Sequence, residues 1–142
     1  MEKRVFEIFK EITAIPRGSG NMEKISDYCV GFAKKNNLKF MRDNSHNVII
    51  FKDAVAGGIG KEPIILQGHL DMVCQKTEDS QIDFNVQGPE IVIDGDFIKA
   101  KDTTLGADNG IAVALIMAIL ESDSISHPPI EAVFTTDEEI GM

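Results

Sequence analysis

His69 and Asp71 stand two residues apart in "PIILQGHLD", Asp108 lies in "GADNGIAVALIMAILES", and Glu138 and Glu139 are adjacent in "AVFTTDEEIGM". Asp71, Asp108, Glu138 and Glu139 are acidic, and no Lys or Arg accompanies them in these stretches. Carboxylates gathered away from water are costly unless a cation compensates them. A metal ion would resolve that cost. Imidazole with carboxylates is the donor set of catalytic zinc, and one carboxylate can bridge two ions roughly 3.5–4 Å apart. His69 would bind one ion, with Asp71 fixing its ring. Neighbouring side chains on an extended segment point in different directions, so one glutamate of the pair can bind metal while the other faces a water as general base.

Each residue also has a plain structural explanation. A histidine after a strand is commonly a satisfied polar group, an aspartate at a helix start a cap, and a glutamate pair at a strand end solvated surface. Their joint occurrence at the ends of elements is what points to a site. The other histidines stay outside it: His46 falls in a polar turn and His127 precedes two prolines in a loop. Cys74, near the His-x-Asp segment, and Cys29, on a helix face, are expected to be small buried apolar residues.

The elements that must position these residues alternate along the chain. Val5, Ile8, Phe9, Ile12 and Ile15 recur at helical spacing before Pro16 ends the run. A second helix is expected over 22–36, capped by Asn21, with Ile25, Tyr28, Cys29 and Phe32 on one face. "LKFMRD" and "NVIIFKD" read as short strands, and "AVAGGIGKEP" as a loop that lacks phosphate-loop spacing. "PIILQGHLD" reads as a buried strand, with His69 and Asp71 leaving the sheet on one side. "EIVIDGDFIKAKD" reads as a hairpin turning at Asp94-Gly95 as type I′, and Asp94 and Asp96 lack the remaining positions of a calcium loop. The run Ile111 to Leu120 is apolar on nearly all sides and reads as a buried helix. "PPIEAVFTTDEE" is a buried strand running out at 135–139. In open α/β sheets ligands bind beyond the carboxyl ends of the strands, which is where these residues fall.

The bulk properties agree. The chain has 142 residues, 43% hydrophobic and 26% charged, the profile of one globular domain. A net charge of −9 argues against nucleic acid and anionic membranes as partners. The two cysteines are too few for a disulfide framework and fit a reducing, cytoplasmic setting.

Three stretches, "LQGHLDMV", "TTLGADNGIAVA" and "TTDEEIGM", resemble the successive metal-site motifs of the zinc aminopeptidase-carboxypeptidase family of di-zinc exopeptidases. Within it they are most similar to the Xaa-His dipeptidases, also called aminoacyl-histidine or cytosolic non-specific dipeptidases. The resemblance extends to "VFEIFKEITAIPRGSGN" and the hairpin region, essentially the whole chain. It implies an α/β fold of three layers, α/β/α, with a mixed sheet of phosphorylase/hydrolase-like type. It implies two zinc ions, replaceable by cobalt or manganese. His69 and Glu139 would each bind a different zinc, Asp108 would bridge both, Asp71 would be the catalytic aspartate beside the ligand histidine, and Glu138 the general base. Glu138 would take a proton from a water held between the metals and pass it to the leaving amine of a small unblocked dipeptide.

Family members are longer, and complete the site with a further acidic ligand and a late histidine that residues 1–142 do not contain. Two four-coordinate zincs sharing a bridge likewise need more donors than His69, Asp108 and Glu139 supply. Residues 1–142 are therefore expected to be the N-terminal portion of a catalytic domain, inactive alone, whose remainder and inserted dimerisation and lid domain lie elsewhere. The full-length protein is expected to be a homodimer. The same motifs would serve an amino-acid deacylase or tripeptidase, and in a different class of function a non-catalytic metal-binding scaffold.

Overall fold

The computed structural model describes residues 1–141. The helical periodicity at the start becomes α1 (Glu2–Thr13), which buries Ile8, Phe9 and Ile12. The next amphipathic run becomes α2 (Glu23–Lys35), which buries Ile25, Cys29 and Phe32. Asn21 does not cap α2: Met22 holds the cap position without a side-chain hydrogen bond, and the Asn21 amide donates instead to the Asn85 carbonyl at 3.2 Å.

The strands β1 (Lys39–Arg42) and β2 (Val48–Lys52) form an antiparallel hairpin. They are followed by β3 (Ile64–His69), the hairpin β4 (Ile91–Asp94) and β5 (Phe97–Ala100), α3 (Ala107–Glu121) and β6 (Ile130–Thr135). The main sheet is mixed, in the order β1-β2-β6-β3, with β6 antiparallel to β2 and parallel to β3. A parallel pair cannot be joined by a tight turn, and α3 lies in the long connection from β3 to β6. The mixed α/β reading is what forms.

Strict alternation fixes which face of the central strands enters the core. Val48 and Ile50 of β2, with Ile130, Ala132 and Phe134 of β6, are fully buried or nearly so, whereas the residues between them are half-buried. These side chains join Phe9, Ile12, Cys29, Phe32, Val113 and Met117 in one apolar cluster fed by all three helices. Arg4 clamps α1 to α3 through a two-pronged pair with Glu121, Nε to Oε1 at 2.5 Å and Nη2 to Oε2 at 3.0 Å.

Three further expectations need correction. β3 is an edge strand, paired with β6 alone among the described residues, and its Ile64 and Ile65 are exposed. α3 buries most of its apolar residues but exposes Ile111 and Leu115. The β4–β5 turn falls one residue later than expected, on Gly95 and Asp96 between the paired Asp94 and Phe97. Only Gly95 of the two takes positive φ, so the turn is not type I′. Among the described residues no helix is long and apolar enough to cross a membrane.

Candidate metal centre

The parallel pairing of β3 and β6 brings two carboxyl ends together. His69 lies opposite Thr135 in the register, and the Leu70 N–H donates to the Thr135 carbonyl at 2.7 Å. Beyond Thr135 the chain does not stay extended. Asp137 takes the left-handed conformation at φ 58°, and residues Glu138–Ile140 form a short 3-10 turn. The start of α3 closes the third side: Gly106 is left-handed at φ 71°, and Asp108 has non-helical φ −83° and ψ 115°. The Asp108–Asn109 peptide is cis.

The structure brings all five expected side chains together. His69 Nε2 lies 3.1 Å from Asp108 Oδ1 and 3.9 Å from Glu138 Oε2. One ligand atom from each of His69, Glu138 and Glu139 falls within 4.8 Å of the others. On the other side of the ring, His69 Nδ1 lies 3.1 Å from the Asp71 carbonyl oxygen and 3.3 Å from Asp71 Oδ1. The glutamate pair does not lie on the extended segment expected of it. Both residues sit on the 3-10 turn, and both carboxylates approach the same imidazole. His46 and His127 do not belong to this group.

Asp71 is fully buried and its carboxylate is saturated with donors. It accepts from Ser19 Oγ at 2.7 Å, from the Glu138 N–H at 3.1 Å and from the Glu139 N–H at 3.1 Å. Burial pushes this carboxyl up, but the Ser19 hydroxyl and the two backbone N–H groups outweigh it and hold it below the usual carboxylate range. Asp71 is therefore ionised at neutral pH, and acts as the bracket between the end of β3 and the turn after β6.

The ring's environment fixes its tautomer. Both atoms facing Nδ1 are acceptors, so Nδ1 carries the proton and donates. In the neutral ring Nε2 then presents a lone pair, yet it faces the Asp108 and Glu138 carboxylates. A neutral Nε2 facing a carboxylate at 3.1 Å sets acceptor against acceptor, an arrangement that a metal ion held by both would reconcile. Asp108 and the glutamates are exposed to the opening of the site, so an ion can reach them. Next to Glu139 an open cleft of about 360 Å³ runs between Ser19, Met72, Val73 and Phe84, within the size range of small-ligand sites.

One cation does accompany the carboxylates, from outside the stretches that carry them. Arg17, 1% exposed, lies beneath the site and donates through Nη1 to the Leu70 and Asp71 carbonyls at 2.9 and 3.2 Å and through Nη2 to the Gly106 carbonyl. Burial pushes its pKa down to about 10, with the Asp71 charge opposing, so it stays charged at neutral pH. Ser19 was also missed, as was Gly20, whose N–H donates to Asp137 Oδ1 at 2.7 Å. The segment "IPRGSGN" has no periodicity, and an arginine in a glycine-rich turn reads as solvated loop.

No family model matches the chain. Its sequence is 42% identical over 138 residues to the cytosol non-specific dipeptidase of Escherichia coli (strain K12), covering 97% of this chain and 28% of that protein. The crystal structure of aminoacylhistidine dipeptidase from Vibrio alginolyticus superposes with a TM-score of 0.94 at 42% identity, over 98% of this chain and 28% of that one. The chain is similar to these two dipeptidases over nearly all of its own length. It spans 28% of the length of each. A tripeptidase from Staphylococcus aureus subsp. aureus mu50 shares the fold, with a TM-score of 0.81 at 21% identity over 99% of this chain and 38% of that one. The fold resemblance thus reaches past the dipeptidases to a more distant sequence.

Proposed function

We propose that residues 1–142 form the N-terminal portion of the catalytic domain of a metal-dependent dipeptidase, which hydrolyses small unblocked dipeptides, Xaa-His among them. His69, Asp108 and Glu139 hold the metal, two zinc ions in the complete enzyme, and Asp71 and Glu138 are the catalytic carboxylates. The observation that carries this reading is Nε2 of His69 aimed at the Asp108 carboxylate at 3.1 Å, with Glu138 and Glu139 beside it. The donor set fits a divalent ion of borderline softness, and the Nδ1–H of His69 is already committed to Asp71, the arrangement that orients metal-binding histidines.

When bound, the ions would polarise a carbonyl oxygen and lower the pKa of a coordinated water toward about 7. The chain's own residues do the rest. Asp71 holds the ring of His69 and, through the Glu138 and Glu139 amides, the glutamate turn. Glu138, half-exposed beside His69 Nε2, accepts a proton from water and returns it to the departing amine. The adjoining cleft beside Glu139 has room for a dipeptide. The kinship with a cytosol non-specific dipeptidase and an aminoacylhistidine dipeptidase supports the substrate class, a cytoplasmic location and a part-length catalytic domain. His69, Asp108 and Glu139 are too few donors for two four-coordinate zincs, so further ligands come from outside these residues, and the 142-residue chain alone binds zinc weakly and turns over little. The full-length protein is a homodimer in this reading.

The test is Glu138→Gln in the full-length enzyme. Turnover of dipeptides should fall about 10²–10⁴-fold while zinc content is unchanged. Retained turnover would remove Glu138 from its role, and zinc loss equal to that of Glu139→Gln would make it a ligand instead. A panel of dipeptides, tripeptides and N-acyl amino acids fixes the substrate class.

A further inference from the structure

Arg17 is a buried guanidinium that makes no close ion pair among the described residues. Its hydrogen bonds go to backbone carbonyls on two separate segments: Leu70 and Asp71, just after β3, and Gly106, the residue before α3. These segments carry His69 with Asp71 and Asp108. The main chain of Arg17 adds a further link, since its carbonyl accepts the Met72 N–H at 3.1 Å and the next residue, Gly18, bridges to Met72 in parallel. The segment around Asp71 is thus held by Arg17 from both backbone and side chain.

The space around the guanidinium is kept clear by glycine. A Cβ at Gly106 would come within 2.5 Å of Arg17 Nη2, and one at Gly110 within 2.8 Å. Gly106 would require glycine for its left-handed backbone in any case, but Gly110 has no such requirement. Its lack of a side chain is accounted for by Arg17 and by the Phe9 ring, 3.1 Å from the same point.

We infer that Arg17 is a positioning residue for the metal site, tying the segment that carries His69 and Asp71 to the helix start that carries Asp108. A planar fork with donors on both terminal nitrogens can reach two segments at once, whereas a lysine ammonium is a point charge on a flexible stem. The inference rests on the metal reading of the site for its functional meaning, and on the hydrogen bonds alone for the tie itself.

The experiment uses the full-length protein, with amide hydrogen exchange read residue by residue and zinc titration followed at the His69 ring nitrogens. Arg17→Lys should raise exchange at Met72 and at Gly110 together, by about tenfold or more, while Ile50 and Ala132 in the central strands stay within about twofold. The zinc midpoint should rise about tenfold. Gly110→Ala, which presses a methyl onto Nη2, should act in the same direction. Added guanidinium ion should restore protection in Arg17→Ala. If Arg17→Ala does not fold, Arg17→Lys and Gly110→Ala carry the test. A change confined to Met72, with Gly110 at wild-type exchange, would overturn the tie. So would equal acceleration at Ile50 and Ala132, which would make Arg17 a general stability residue. An unchanged zinc midpoint with both segments loosened would overturn its role at the metal. If zinc leaves the His69 ring unshifted in the wild-type full-length protein, the metal reading fails, and the exchange data still decide whether Arg17 joins the two segments.

Discussion

The Asp71 carboxylate accepts the backbone N–H of Glu139 at 3.1 Å, so a side chain leaving β3 fixes the main chain that follows β6. The same carboxylate faces His69 Nδ1 at 3.3 Å and takes the Glu138 N–H and the Ser19 hydroxyl. Asp71→Asn preserves the volume but replaces an acceptor oxygen with a donor, leaving at least one of these buried donors facing another. Loss of stability of about 1–3 kcal/mol is expected, and metal affinity or turnover should fall about 10–100-fold. Denaturant unfolding and the exchange rates of the Glu138 and Glu139 amides check this. Unaltered rates at both amides would show that the turn holds without Asp71.

Gly68 makes a second prediction about the same geometry. A Cβ there would lie 2.9 Å from Asn109 Oδ1 and 3.2 Å from Val113 Cγ2, pushing the start of α3 away from β3. Gly68→Ala should cost about 1–3 kcal/mol by overpacking and weaken zinc binding through Asp108. Gly31 supplies the contrast. It sits inside α2 with nothing within 4 Å of an added Cβ, so Gly31→Ala should stabilise by about 0.5–1 kcal/mol. Thermal melts of the two variants should move in opposite directions.

How much of this was legible in the sequence depended on whether a residue's partners were periodic. The faces of α1 and α2 could be read because Ile8, Phe9 and Ile12, and Ile25, Cys29 and Phe32, repeat at helical spacing. That His69, Asp71, Asp108, Glu138 and Glu139 come together could be read because strand and helix ends in an α/β sheet converge. The edge position of β3 could not, since Ile64 and Ile65 have the same types as a central strand and their exposure depends on which neighbours pair. Ile111 and Leu115 are likewise apolar without being buried. The glutamate turn was hidden because left-handed Asp137 breaks the strand without glycine or proline to mark it. Arg17 was hidden because its acceptors are main-chain carbonyls 53 to 89 residues away, which no side-chain pattern announces.

Acid should loosen the far side of the site through Asp43. The Asn47 side-chain amide, and after it the backbone N–H groups of Asn47 and Ser45, hold the Asp43 carboxyl below its ordinary value. The loop so formed reaches the strand end, since Asn47 Oδ1 accepts the Thr136 N–H at 2.9 Å and Thr136 Oγ1 donates to the Ser45 carbonyl at 2.9 Å. A carboxyl depressed in the folded state contributes stability that is fully present above its unfolded pKa, near about 3.9, and is lost as pH falls through the lower folded value. Asp43→Asn should therefore be less stable than wild type at neutral pH, and should lose less on going from about pH 5 to pH 2. A wild-type and variant difference that is constant across that range would contradict it.

Lys52 closes the opposite end of α3 and gives the last prediction. Although it lies on β2, its side chain is 7% exposed and its ammonium donates to the Leu120 carbonyl at 2.8 Å and to the Ser122 carbonyl at 2.5 Å, with Ile119 at 3.4 Å. The final carbonyls of a helix have no partner within it, and a cation there also meets the negative end of the helix dipole. Asp123 Oδ1 is 3.9 Å away on a fully exposed side chain, so that pair contributes little beside the carbonyl contacts. Lys52→Met keeps the apolar stem but removes the donors, and should destabilise the fold by about 1–3 kcal/mol. Asp123→Asn should change stability by less than about 0.5 kcal/mol. The ranking of the two in denaturant unfolding is the decisive measurement: a larger loss for Asp123→Asn would mean that the ion pair, and not the helix end, is what holds Lys52 in place.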